Sequence, residues 1–164
     1  MSWRRSPKPT SRQRPADAKS ARVAAVALLA RRDFASGELC ARLRGKGFDA
    51  ATVVAVSAEL TDSGILSDAR YAQNYVTYHA GRGHGPIRIA AELRRHGVPA
   101  LLIEDALSGG PDWRALALKV CRGKFGPQAP VSWPQKARQA RFLQYRGFST
   151  DHIRAATAVD PETD

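Results

Sequence analysis

Leu43-Arg44-Gly45-Lys46-Gly47-Phe48 (residues 43–48) recurs at equal spacing as Leu93-Arg94-Arg95-His96-Gly97-Val98 and again as Leu143-Gln144-Tyr145-Arg146-Gly147-Phe148. Every copy opens on leucine and closes on glycine followed by an apolar residue. The same period then places Val53, Ile103 and Ile153. Coincident series with one spacing mark an internal repeat. Their chemistry identifies a helix stop. A glycine just past a helix end takes the left-handed conformation without a Cβ clash. In that stop the amide after the glycine bonds the carbonyl five residues back, and the two flanking side chains pack together. Leu43–Phe48, Leu93–Val98 and Leu143–Phe148 supply that apolar pair three times.

A second helix starts at once after each stop. Asp49 and Ser149 are N-cap candidates, and Pro99 suits a first turn. A further amphipathic segment precedes each copy, so the repeat unit is a three-helix module. The helices are predicted over 18–32, 36–46, 50–61, 68–80, 86–96, 100–107, 112–124, 134–146 and 150–158. No run alternates with the period of a strand. The fold class is therefore all-α: modules at 18–61, 65–107 and 112–158, with tails at 1–17 and 159–164. The modules are divergent. Leu39 and Ile89 correspond, but the third copy has Gln139 there, and its connector from Gly126 to Trp133 holds Pro127 and Pro130. In the stretch joining the first two modules, Ser67 or Asp68 can cap the next helix, and Tyr71, Ala72, Tyr75 and Val76 form its apolar stripe.

Of the 164 residues, 43% are hydrophobic, enough for a packed core, and the net charge is +11. A basic excess of that size favours a polyanionic partner. The N-terminal tail carries Arg4, Arg5, Lys8, Arg12 and Arg14 among Pro7, Pro9 and Pro15, and is expected to be disordered. The middle helices carry the rest of the pattern: Arg42, Arg44 and Lys46; Arg88, Arg94 and Arg95; Arg138, Arg141 and Arg146, with Lys136 beside them. With the leucines turned inward, much of this charge must face outward. A spaced row of basic faces suits a long repetitive polyanion better than a small ligand.

Other classes find little support. Cys40 and Cys121 form no Cys-x-x-Cys pair and read as buried free thiols, compatible with a reducing cytoplasm. His79, His84, His96 and His152 are scattered, so no metal site is expected. Gly81-Arg82-Gly83-His84-Gly85-Pro86 is glycine-rich but lacks both the preceding strand and the Gly-Lys-Ser/Thr of a phosphate loop, so no nucleotide cofactor is expected. Asp151-His152 fits a capping turn as well as a catalytic pair, and no nucleophile elbow or Walker pattern occurs, which argues against an enzyme. No apolar run approaches the ~20 residues of a membrane span. Val23–Ala30 reads as part of a first helix, not as a signal segment.

Three segments in order, Arg31…Glu38-Leu39…Leu43…Lys46-Gly47-Phe48, Gly64-Ile65-Leu66-Ser67-Asp68-Ala69-Arg70-Tyr71-Ala72, and Gly85-Pro86-Ile87-Arg88-Ile89…Glu92-Leu93…Gly97-Val98, resemble the RecX family of regulatory proteins over about residues 20–158. The third module, ending Arg146-Gly147-Phe148, is similar more loosely. This chain has Ser67-Asp68 where the family often has two acids. The resemblance implies a curved, elongated, monomeric array of three modules. It also implies a partner, the RecA protein in its filament on single-stranded DNA, whose ATP hydrolysis, strand exchange and co-protease activities it would inhibit, with weak nonspecific contact to DNA. The competing reading is a helical module that binds DNA directly and does not act on RecA.

Overall fold

The structure is a computed structural model and describes residues 15–158. These residues form helices α1 Pro15–Leu29, α2 Ser36–Gly45, α3 Ala50–Asp62, α4 Asp68–Gly81, α5 Pro86–Arg95, α6 Ala100–Ser108, α7 Trp113–Phe125, α8 Trp133–Arg146 and α9 Thr150–Thr157, with no strand among the described residues. The tails read over 1–17 and 159–164 lie outside the described residues except at their inner edge. There α1 begins at Pro15, three residues earlier than expected. A first turn lacks bonded donors in any case, so it accepts a proline.

Each glycine stop forms as its residues require. Phe48, Val98 and Phe148 donate their amides to Leu43, Leu93 and Leu143 at 3.3, 3.1 and 3.1 Å. Gly47, Gly97 and Gly147 donate to Arg44, Arg94 and Gln144 at 2.9, 3.0 and 3.0 Å, with φ of 98°, 81° and 91°. The next helices are capped as read. Asp49 accepts from Thr52, Ser149 from His152, and Pro99 precedes α6.

The described chain divides into two compact units, one comprising residues up to Asp33 with Glu38–Leu66, the other Phe34–Gly37 with Ser67 onward. In the first, α1 packs on α3. Ala21, Ala25, Leu39, Leu43, Val53, Val56 and Leu60 are buried, and an Arg22–Glu59 ion pair of 2.6 Å links the two helices at the surface. Arg32 grips both carboxylate oxygens of Glu38.

The second unit holds two apolar centres. One gathers Tyr71, Ala72, Val76, Ile89, Leu93, Val98 and Ile103 from α4–α6, and Ala35 joins it. The other gathers Ala117, Cys121, Ala140, Leu143, Phe148 and Ile153 from α7–α9. Gln139, the residue that breaks the repeat, is buried and accepts the Cys121 thiol at 3.3 Å through Oε1. An amide is tolerated at an apolar position because it has this partner. Cys121 is buried as expected and its thiol pKa is pushed up by burial, whereas Cys40 is only half-buried.

Within this unit a glycine stop receives the start of another module's middle helix. The amides of Gly85 and Ile87, at the N-terminus of α5, donate to the carbonyls of Arg146 and Gly147, at the end of α8, at 2.8 and 3.0 Å. Donors that a helix start leaves unpaired thereby meet acceptors that a helix end leaves unpaired. The positive end of α5 thereby meets the negative end of α8. One repeat earlier, a Cβ on Gly37 would lie 3.1 Å from Gly97 Cα, so the corresponding positions approach again.

The cap at the start of α2 was not legible in sequence. Asp68 leaves the capping of α4 to Ser67, whose hydroxyl accepts the Arg70 amide at 3.2 Å. Its own carboxylate accepts the Ser36 amide at 2.7 Å and the Ser36 hydroxyl at 2.6 Å. Hydrogen bonds to a charged group contribute ~1.5–3 kcal/mol each. Asp68→Ala is expected to destabilise the protein by about 2 kcal/mol in a urea melt, with Asp68→Asn recovering part of the loss. An Asp68→Ala protein as stable as the parent would mean that this clasp contributes nothing.

Candidate functional site

The basic residues picked out in sequence divide between the units. Arg42, Arg44 and Lys46 are exposed in the first. In the second, Arg94 and Arg95 are exposed in the last turn of α5, where the negative helix end favours cations. Arg138 and Arg141 are exposed on α8. They lie at i and i+3 with Tyr145 at i+7, so these three share a face. Tyr145 is 82% exposed, a large aromatic ring offered to solvent.

Two of the nine are held by the fold. Arg88 donates Nε to Glu92 Oε1 at 3.1 Å and is only 38% exposed. Arg146 donates Nη1 to the Arg82 carbonyl at 3.1 Å and lies 5.3 Å over the Phe142 ring. Both belong to the α5–α8 junction. Arg138 also lies over a ring, that of Phe125, at 5.7 Å.

Beside that junction is a cleft of about 380 Å³ lined by Arg82, Lys119, Lys124 and Arg146 with Val120 and Phe142. Lys119 and Lys124 escaped the sequence reading. They sit on α7, outside the repeated middle helices, and only the docking of α7 beside the end of α4 brings them next to Arg82. The Arg82 guanidinium turns to the Tyr78 ring and hydroxyl while its carbonyl accepts from Arg146. Lys119, Lys124 and Arg146 leave a cationic lining that suits a phosphate or carboxylate group better than a neutral ligand.

Ser149 and His152 approach as a nucleophile and base would, with Ser149 Oγ 2.8 Å from His152 Nδ1. Their other bonds assign them to capping. Ser149 N–H donates to the same Nδ1 at 3.2 Å, His152 N–H donates back to Ser149 Oγ, and Asp151 pairs with Arg154. The result is a capping box with histidine in the usual Glu/Gln place. Accepting an amide requires an unprotonated Nδ1. Burial pushes the His152 pKa down, Arg114 adds to this, and Asp151 and Asp112 oppose it. The unfolded chain therefore binds the proton more readily. The stabilisation is complete above the ordinary histidine pKa of ~6.5 and is lost as pH falls through the lowered value. Amide exchange in α9 is expected to accelerate beyond its intrinsic pH dependence as pH drops below 6.5. His152→Gln, which keeps the box without a titrating group, is expected to remove that excess. An excess that persists in the variant would place its origin elsewhere.

A third cluster lies on α4 and α5. Tyr75 donates to Glu92 Oε2 at 2.7 Å and stacks on His79 at 4.0 Å, and His79 Nδ1 faces His84 Nδ1 at 3.1 Å. Tyr71 hydroxyl bonds His96 Nδ1 at 2.8 Å. Burial, then the Glu92 bond and charge, raise the Tyr75 pKa. Burial alone would raise that of Glu92, but the Tyr75 and Arg88 bonds outweigh it and the net shift is downward. Histidines scattered in sequence are thus partly assembled in space.

A run of three-helix modules with outward-facing arginines and a basic cleft defines an all-helical protein built from repeats. Comparison with known proteins places it further. Residues 67–107 match the family model described as RecX, second three-helix domain, and residues 112–157 match RecX, third three-helix domain. The chain is 40% identical to the regulatory protein RecX of Halorhodospira halophila, over 91% of this chain and 93% of that one. It is 37% identical to that of Stenotrophomonas maltophilia, over 94% and 95%. The crystal structure of RecX from Lactobacillus salivarius superposes with a TM-score of 0.76 at 20% identity, covering 86% of this chain and 94% of that one, which shows the shared fold. The chain belongs to the RecX family of regulatory proteins. No described helix is long and apolar enough to cross a membrane.

Proposed function

We propose that this protein binds the RecA filament on single-stranded DNA and inhibits its ATPase, recombinase and co-protease activities. It would do so as a cytoplasmic monomer, without catalysis of its own and without a cofactor for that role. Membership of a family of regulators supports the reading, and so does the basic character of the chain. One observation carries it physically: α5 and α8 meet end to end within one unit and present Arg94, Arg95, Arg138 and Arg141 to solvent. Such a surface can follow a repeating anionic surface, whether acidic protein or DNA phosphate. A protein spanning neighbouring RecA subunits would hinder subunit addition and the movements that accompany ATP turnover.

The test is single-stranded-DNA-dependent ATP hydrolysis by the cognate RecA, with this protein titrated in below one copy per RecA. Strong inhibition is expected at those ratios, where competition for DNA alone would leave most of the strand free. Full activity with this protein in excess and bound to DNA would overturn the reading and favour a sequence-nonspecific DNA-binding module. Tyr145, exposed beside Arg141, is suited to stacking on a base in that case.

A further inference from the structure

We propose that His79, His84 and Glu92 form a binding site for a divalent transition-metal ion of the zinc type, independently of any action on RecA. One ligand atom from each of the three lies within 4.8 Å of the others, the one such histidine–carboxylate group among the described residues. His79 comes from the last turn of α4, Glu92 from α5, and His84 from the turn between them. That turn is fixed by its backbone. The amides of Gly83 and His84 donate to the carbonyls of Ala80 and His79 at 2.9 and 3.0 Å, and Gly83 has a φ of 79°.

The two Nδ1 atoms point at one another 3.1 Å apart. Two nitrogens on a tetrahedral zinc, each bonded at ~2.0–2.1 Å, stand about 3.3 Å apart, so this pair is close to the required bite. Without an ion one Nδ1 must donate and the other accept. With an ion both lone pairs turn inward and each ring carries its proton on Nε2. Burial lowers the pKa of both imidazoles, which keeps them in the neutral form a metal requires.

The surrounding groups act as outer partners. Tyr75 stacks on the His79 ring and donates to Glu92 Oε2, which orients two of the three ligands. Arg88 holds Glu92 Oε1, so this oxygen must exchange a guanidinium for the ion. The positive charge of Arg88 limits the affinity. All three ligands are only half-buried, which leaves room for water in a fourth position. The bound ion would tie α4, the turn and α5 together at one end of the second module.

The test is titration of the full chain with zinc chloride, followed by calorimetry and by the imidazole nitrogen resonances in NMR. One ion per chain is expected, with the ring resonances of His79 and His84 shifting together. His84→Gln and Glu92→Gln are each expected to weaken binding at least tenfold, whereas His152→Gln leaves it unchanged. The ring resonances need no variant, so a poorly folded substitution does not leave the question open. Resonances of His79 and His84 that zinc does not move, or equal affinity in His84→Gln, would overturn the site.

Discussion

Alanine at Gly147 is expected to destabilise the protein by about 3 kcal/mol or more. Two costs coincide there. The φ of 91° belongs to the left-handed region, where a Cβ alone costs ~1–2 kcal/mol. That Cβ would also stand 2.3 Å from Arg88 Cβ and 2.7 Å from Arg88 N. The second obstacle is backbone at the start of α5, which cannot rotate away. The methyl therefore forces the seam apart and breaks the bonds from Gly85 and Ile87 to the α8 carbonyls.

Two further variants separate these costs. Gly47 has a φ of 98° but nothing within reach of an added Cβ, so Gly47→Ala reads the conformational cost alone. Gly85 has an ordinary φ of −85°, yet its Cβ would lie 2.4 Å from the Gly147 carbonyl, so Gly85→Ala reads the clash. In urea melts Gly147→Ala is expected to exceed both, and in Gly147→Ala and Gly85→Ala amide exchange at Ile87 should accelerate selectively. If Gly147→Ala costs no more than Gly47→Ala, the seam is loose and the end-to-end arrangement of α5 and α8 does not hold the modules.

The helices were legible because the repeat states its own punctuation. Leu43–Gly47–Phe48 and its two copies contain every group the helix stop uses, so sequence distance and spatial distance coincide there. Helix starts were nearly as clear, since Asp49, Ser67 and Ser149 reach only their own first turns. The junctions were not legible. Asp68 and Ser36, or Gly85 and Gly147, are far apart in sequence, and nothing in a glycine's neighbours says that a distant backbone will touch it. Gly85 reads locally as a turn before a proline, which is true but leaves out why a Cβ cannot be there. The site was legible to the same degree. The outward charge of Arg94, Arg95, Arg138 and Arg141 follows from the helical period. That Arg88 and Arg146 are tied into the fold follows only from contacts between elements. His79 and His84 are separated by a turn whose course decides whether their rings meet, and a count of ligand spacings could not reveal it.

Arg94→Glu combined with Arg95→Glu is expected to weaken binding to the RecA filament at least tenfold, and to shift the ratio needed for half-inhibition of ATP hydrolysis by a similar factor. Both side chains are exposed, so no core is disturbed. The reversal does place two acids at the negative end of α5, with a helix cost of ~0.3–1 kcal/mol each. Arg94→Ala with Arg95→Ala avoids most of that and should give a smaller loss of binding in the same direction. Circular dichroism should show the parental helicity in both. Since the contribution is electrostatic, the gap between parent and variant should narrow as salt is raised. Arg138→Glu with Arg141→Glu tests the exposed pair on α8 in the same way. If α5 and α8 meet one continuous anionic surface, each pair should cost a comparable factor, and the two combined should roughly multiply, because the pairs lie on separate helices with no shared partner. Arg42→Glu with Arg44→Glu asks the same of the first unit. Unaltered affinity in the Arg94/Arg95 reversal would remove α5 from the interface. The cleft lined by Lys119, Lys124 and Arg146 would then be the better candidate, because it offers cations that none of these substitutions touches.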